Sequence, residues 1–575
     1  MRKTAFFFLA AFTAMATGAA NPARAASAPP LRVPHAAVAS DHPAASDAGV
    51  EVLRAGGNAV DAACATALAL GVTVPHSSGI GGGGFAVIYL AKEHKVVTLD
   101  FREKAPAAAK AELFMRDGKP DGRLSRTGGL AIAVPGEVRG LTEMVRRWGK
   151  LPFAACVRPA ERLARTGVPL IEEVADAANR SGGRDADGAA LIGKVFTLAR
   201  PFALPLREGE VVKRPALAAT LARLRTGGAD VFYKGPIGEE IVKATRAAGG
   251  VLTREDLLGY TVVERPALAI DYRGHKVYSM PPPSSGGIVI AEALGILAER
   301  MKEPPRGPGR FSSAYLHTLA EALKHGFADR ARHLGDPDFV SVPVAKLMDP
   351  AYHRELAARI DDNHVLRPER YGFVASPGEA HPPRDAGTTH LSIIDAEGNA
   401  VGLTTTVNLG FGAKVIAGST GIVLNDQMDD FSMLPDVPNA FGLIGKDKNI
   451  VAGNKRPLSS MSPTIVVDGD KVRLVVGGAG GPAIITSTLQ LLLNVVDGGL
   501  DAQEASDAPR IHHQWSPDVL GVEPEIPGDV TDALSRRGQQ VKPRDHVGTA
   551  NIVVRTDKGI EAAAEHRRGG RPAGY

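Results

Sequence analysis

The sequence predicts an α+β fold, a sheet-on-sheet core covered by helices, and three observations predict it. Apolar residues recur at helical spacing in long blocks, period-2 strand signals come in groups rather than in strict alternation with helices, and Gly/Pro punctuation separates the two kinds. Residues 45–72 are expected to be helical with a break at Gly56-Gly57, and residues 85–90 and 96–101 to be strands. Helix dominates again over 136–165 and 213–249. The run Pro281-Pro282-Pro283-Ser284-Ser285-Gly286-Gly287 is a rigid turn ahead of an apolar helix over 288–297. Five strands are expected further on, over 391–395, 401–408, 464–467, 472–477 and 551–556.

Composition excludes several classes. The 575 residues suffice for a large core, and 44% hydrophobic with 23% charged residues is the balance of a water-soluble globular protein. A formal charge of +4 with no basic stripe or interleaved aromatics points away from nucleic acid as a partner. Arg2 and Lys3, an apolar run over 5–16 and Ala23-Arg24-Ala25 form a cleavable signal peptide, residues 1–25, too short in its apolar part to span a bilayer. Export to a periplasm or the medium follows, and no later stretch has the apolar length of a membrane span. The two cysteines, Cys64 and Cys156, both sit in apolar helical runs and are expected as buried thiols rather than a disulfide. Residues 367–387, rich in Pro, Gly and charge, form the one clear surface loop between segments.

Two motifs carry less than they suggest. Gly79-Ile80-Gly81-Gly82-Gly83-Gly84 satisfies G-x-G-x-x-G, but a helix precedes it and a strand follows, the reverse of a dinucleotide site. Close backbone packing is the better account. His512-His513 are adjacent, share no face of a regular element, and have no third ligand at metal spacing, so neither metal nor cofactor is implied.

The chemistry is carried by Gly387-Thr388-Thr389-His390. A mid-chain threonine hydroxyl has no base beside it. Cutting the Gly387–Thr388 bond would give Thr388 a free α-amine, with an intrinsic pKa of about 7.7–8.0, within reach of its own hydroxyl. Taken alone, the segment is weak evidence, because Thr-Thr pairs are common in ordinary strands and that is the simpler reading.

The segments around it decide the matter. TTHLSIIDAEGNAV from Thr388, LNDQMDDFS from Leu424, NKRPLSSMSPTIV from Asn454, GGAGG from Gly477, HHQW from His512 and the terminal AGY resemble the small subunit of the gamma-glutamyltransferase (gamma-glutamyltranspeptidase) family. GGNAVDAA from Gly56, SGIGGGGF from Ser78, DFREKAP from Asp100 and YSMPPPSSGG from Tyr278 resemble its large subunit. The resemblance implies the four-layer αββα arrangement of N-terminal-nucleophile hydrolases. It also implies a precursor cut into a large subunit, 26–387, and a small subunit, 388–575, that stay together as a heterodimer. The activity implied is cleavage of the γ-glutamyl bond of glutathione and similar compounds through a γ-glutamyl-Thr388 ester, with transfer to water or to an amino acid or peptide.

The resemblance also assigns site residues, each chemically apt. Thr388 is the nucleophile, Thr406 its hydrogen-bond partner in self-cleavage, and Gly480-Gly481 the oxyanion turn. Arg102 forks onto the substrate α-carboxylate, with hydroxyls from Ser459 and Ser460. Asp430, Gln427 and Asn408 accept from the α-ammonium, and Asp429 is left without a role. VPNAFGLIG from Val437 resembles the family's lid loop, with Phe441 where many bacterial members have tyrosine, so the lid lacks that hydroxyl. Two other readings remain: a cephalosporin or glutaryl acylase of the same scaffold, against which the acceptors for an ammonium argue, and an exported solute-binding protein with no covalent chemistry.

Overall fold

The computed structural model describes residues 28–372 and 386–575. The expected signal peptide, residues 1–25, and residues 373–385 of the expected 367–387 loop lie outside the described residues; the first part of that loop includes a short turn at Pro368–Tyr371.

Fourteen strands build two antiparallel sheets. In chain order they are β1 Leu31–Val33, β2 Ala37–Ser40, β3 Gly83–Leu90, β4 Lys95–Phe101, β5 Val263–Arg265, β6 Leu268–Tyr272 and β7 His275–Ser279. The rest are β8 Ala386–Ile394, β9 Ala400–Leu409, β10 Thr464–Asp468, β11 Lys471–Ala479, β12 Thr549–Thr556, β13 Gly559–Ala563 and β14 Ala573–Gly574. One sheet has the order β1-β13-β12-β11-β10-β7-β6, the other β5-β4-β3-β9-β8-β2-β14. Side-chain alternation divides the packing into three layers. Val87, Ile465, Val475 and Val553 fill the space between the sheets. Leu391, Ile393, Val401 and Leu403 face helices α1 Pro43–Arg54, α2 Ala59–Thr73, α3 Glu137–Trp148 and α4 Phe153–Thr166. On the opposite side Val466, Leu474, Val476 and Ile552 face α5 Gly286–Arg300, α6 Ser313–His333 and α7 Ala483–Val496. This is the expected αββα stack.

Helix α2 shows how sequence makes this layer. Asn58 and Asp61 form a capping box, which satisfies the first amides, and the Ala-rich run DAACATALAL that follows is buried at all fifteen positions of the helix. Cys64 and Cys156 are both reduced, buried and in contact across the α2–α4 interface.

Segments on either side of residue 387 interleave in both sheets. Strand β8 pairs with β2 on one edge and β9 on the other. The C-terminal Tyr575 exchanges main-chain hydrogen bonds with His35 and Ala36, and its ring lies under the Arg54 guanidinium at 4.4 Å. Among the described residues no helix is long and apolar enough to cross a membrane. The expected helices and strands are present, with ends shifted by a few residues. Not anticipated were the hairpin β6–β7, the edge strands, and the 21-residue helix α6, whose buried face carries Glu321, Lys324, Asp329 and Arg330.

Candidate active site

Thr388, His390 and Ser392 all point from β8 toward the other sheet. His390 abuts Gly477, where an added Cβ would come within 2.3 Å of the ring, and Ser392 donates to the Asn551 carbonyl. The register with β9 is regular until Gly387 pairs with Asn408 and Thr388 with Thr406, leaving Val407 as a bulge. That bulge turns both threonine hydroxyls into one hydrogen-bonded line. Thr406 Oγ1 donates to the Gly387 carbonyl at 2.7 Å and accepts from the Asn408 amide at 2.8 Å. Its one proton is thereby committed, so Thr388 Oγ1, 2.9 Å away, is the donor in the Thr388–Thr406 bond. Thr388 Oγ1 is thus held in one hydrogen-bonded line with the Gly387 carbonyl, which a nucleophile at Thr388 would attack in self-cleavage, and Thr406 donates to that carbonyl's oxygen. Replacing Thr406 by valine, its isostere without the hydroxyl, should slow cutting by about 10²–10³-fold, the usual cost of one oxyanion donor. Time-resolved denaturing gels of freshly folded precursor measure this, and unchanged kinetics would remove Thr406 from the reaction.

Packing behind β9 is tight. A Cβ on Gly82 would lie 2.0 Å from the Thr406 carbonyl and one on Gly81 2.1 Å from that of Val423. The glycine run is therefore the close-approach device expected of it, laid against the strand that carries Thr406.

The pocket in front of Thr388, with about 290 Å³ of empty space that includes its opening to solvent, is lined by Arg102, Thr406, Asn408, Gln427, Asp430, Ser459 and Ser460, together with Phe441 and Gly481. Arg102 follows β4 and is 1% exposed. Its Nε donates to the Pro457 carbonyl, and Nη2 binds Asp430 Oδ2 directly. Gln427 Nε2 donates to the same Asp430 oxygen at 2.8 Å. The pocket thus places a cation and an anion side by side, as a zwitterionic ligand requires. Ser459 Oγ accepts from the Met461 amide, leaving its proton free, and the Ser459 main chain is tied to Ser285 and Pro283 in the Pro-Ser-Gly turn. Asn408 adopts a left-handed φ of 80°, which asparagine tolerates, and anchors through Nδ2 to the Asp426 carbonyl.

Gly480 and Gly481 turn between β11 and α7 with φ of 126° and 60°. Gly481 lines the pocket, whereas Gly480 packs against Gly548. The Phe441 ring covers Gly481, where a Cβ would sit 2.5 Å from the ring. The segment from Val437, expected as a lid, has no tyrosyl hydroxyl and is fastened through its main chain. The Phe441 carbonyl accepts from Gln514 Nε2 at 3.0 Å, and His512, itself held by Thr486, steadies the Gln514 amide. Asp429 also gains a structural role, because its carboxylate accepts from the Ala440 amide in that segment and from Ser125. His512 and His513 serve packing and hydrogen bonding, and among the described residues no group of His, Cys, Asp or Glu is placed to hold a metal.

Sequence reasoning missed the carboxyls beneath the site. Glu103, 3.7 Å from the Arg102 guanidinium, is fully buried and pushed up to about 7 by that burial. Glu137 accepts from Thr405 at 2.5 Å and is pushed up to about 8, again chiefly by burial. Glu103 stands inside the DFREKAP segment, next to Arg102, and Glu137 at a helix start, and those positions were the only signals the sequence held. For Glu137 the sign follows from linkage. Between the ordinary value of 4.5 and about 8 the unfolded chain is ionised here while the folded chain keeps the proton, so stability falls as pH rises through that window and levels off above it. Glu137→Gln keeps an acceptor for Thr405 and abolishes the titration. Its Tm relative to wild type should climb from about pH 4.5 to about 8; a pH-independent difference would show Glu137 ionised throughout.

Residues 45–575 match the profile of the family described as gamma-glutamyltranspeptidase. The chain belongs to that family. It is 43% identical to the glutathione hydrolase proenzyme of Escherichia coli over 540 residues, covering 94% of this chain and 91% of that protein. It is 39% identical to the Pseudomonas aeruginosa glutathione hydrolase proenzyme, covering 97% of each. Among solved structures it resembles a cephalosporin acylase from Bacillus halodurans, with a TM-score of 0.81 and 27% identity over 98% of this chain and 99% of that one. The Helicobacter pylori gamma-glutamyltranspeptidase gives a TM-score of 0.53 and 36% identity over 60% of this chain and 96% of that one. The fold is that of N-terminal-nucleophile hydrolases.

Proposed function

We propose that this gamma-glutamyltranspeptidase-family chain is an exported precursor, losing residues 1–25 and cutting itself between Gly387 and Thr388, and that the product cleaves γ-glutamyl bonds such as that of glutathione. In self-cleavage Thr388 Oγ1 adds to the Gly387 carbonyl carbon, Thr406 donates to the developing oxyanion, and the carbon–nitrogen bond breaks as nitrogen takes a proton. Water hydrolyses the resulting ester, leaving a Gly387 carboxylate and a free Thr388 amine. That amine then takes the hydroxyl proton as Oγ1 attacks the substrate γ-carbonyl. The Gly480-Gly481 turn stabilises the oxyanion, and the leaving amine departs protonated. Water or the amino group of an amino acid or peptide receives the glutamyl group from the Thr388 ester. Interleaving of both segments in both sheets supports a large subunit, 26–387, and a small one, 388–575, that remain a heterodimer.

The observation that carries the substrate class is the Arg102–Asp430 pair facing Thr388 in one pocket. Arg102 with Ser459 and Ser460 suits an α-carboxylate; Asp430 with Gln427 and Asn408 suits an α-ammonium. The likeness to a cephalosporin acylase keeps a glutaryl substrate as the second reading. Purified protein should run on a denaturing gel as two bands, of about two thirds and one third of the chain, and release aniline from a γ-glutamyl anilide far faster than from a glutaryl anilide. A single uncut chain, or a preference for glutaryl, would overturn the proposal.

A further inference from the structure

Behind the glycine run, away from Thr388, lies a second cavity lined by Leu68 of α2, Ser78, Ile80, Arg214, Leu217 and Ile422 among others. Its empty space is about 290 Å³, but the room it offers a guest is close to that of a single water. The walls are mostly aliphatic, so Arg214 stands out. It is 4% exposed, and among the described residues no carboxylate offsets its charge. Burial alone holds its guanidinium down to about 9. The Nη1 donates to the Gly71 and Val72 carbonyls at the end of α2 and Nη2 to the Gly421 carbonyl, whereas Nε–H has no acceptor. Ser78 Oγ, in the same lining, is likewise buried without a partner.

A buried cation without a counter-charge is costly, and two orphaned donors add to that cost. One water would relieve the donors but leave the charge. We infer that this cavity binds one small monovalent anion of the halide class, held by the Arg214 Nε–H and the Ser78 hydroxyl. Oxyanions such as sulfate are too large and carry too much charge for a one-guest space with a single cation. The bound ion would tie the end of α2 to the 78–82 and 421–424 segments, the latter leading into Gln427 and Asp430.

Crystals of the wild-type protein grown in sodium bromide test this directly. An anomalous peak within hydrogen-bonding reach of Arg214 Nε and Ser78 Oγ is expected, and a water there, or bromide only elsewhere, would overturn the site. In solution, Tm should rise with chloride or bromide at low concentration and then saturate, as ligand linkage requires, whereas sulfate at matched ionic strength should give only its general, non-saturating stabilisation. Arg214→Met should lose that halide dependence. Should that variant not fold, Ser78→Ala should weaken it, shifting the half-saturating bromide concentration upward. Equal response of wild type to all salts would refute the inference. None of these readouts uses the active site, so they stand apart from the assignment of substrate.

Discussion

Thr388→Ala should leave the precursor as a single chain and abolish activity, by about 10⁶-fold, because one atom, Thr388 Oγ1, serves both reactions. The geometry makes the expectation sharp. The hydroxyl donates into Thr406, which donates into the carbonyl of the bond to be cut, so removing it breaks the line at its start. Alanine at this position leaves the backbone pairing of β8 with β2 and β9 intact, and the uncut variant should therefore keep the wild-type far-UV spectrum. Thr388→Ser restores the oxygen and should cut, more slowly, since the methyl that restricts χ1 is gone. Two fragments from Thr388→Ala would remove the nucleophile from Thr388.

How much of this was legible in the sequence depends on what kind of interaction places each residue. Elements with a uniform local composition were readable: the Ala-rich α2 announces itself as an unbroken apolar run of helix formers buried on every face, and β9 as a run rich in β-branched residues that is buried almost throughout. Helix α6 did not, since Glu321, Lys324, Asp329 and Arg330 on its buried face interrupt the 3.6 repeat, and their partners Tyr371, Asp518, Tyr352 and Ser285 lie elsewhere in the chain. The layer order came from resemblance, because crossing connections between sheets leave no local trace.

The same division runs through the site. Thr388, Arg102, Asp430 and Ser459 sit inside contiguous motifs and were named by them. Asp429 was found beside its neighbour but without a purpose, because its partner, the Ala440 amide, is defined only once the lid folds back. Gln514 and Glu137 act through residues 73 and 268 positions away. Such couplings belong to the fold rather than to any segment. The phenylalanine at 441 suggested a lid missing a hydroxyl bond; the structure adds a main-chain fastening that a side-chain comparison cannot reveal.

Asp430→Asn should separate a γ-glutamyl site from a glutaryl one within a single protein. The variant keeps the size of the side chain and an oxygen for the Gln427 amide, but removes the charge that now faces Arg102. A γ-glutamyl anilide should lose about a hundredfold in kcat/KM, roughly 2.7 kcal/mol, because its ammonium enters a pocket with no anion to meet it. For a glutaryl anilide the balance differs. It has no ammonium, so in the wild type the Asp430 carboxylate is unmatched by ligand and competes with a substrate carboxylate for the Arg102 guanidinium. Asparagine ends that competition, and glutaryl turnover should stay level or rise. Self-cleavage provides an internal control, since Asp430 touches neither Thr388 nor Thr406 and the gel pattern should be unchanged. The ratio of the two substrates' kcat/KM values, wild type against variant, cancels differences in folded fraction. A parallel fall in both would mean that Asp430 acts by holding Arg102 in place, and the selectivity for an α-amino group would then have to reside in Asn408 and Gln427.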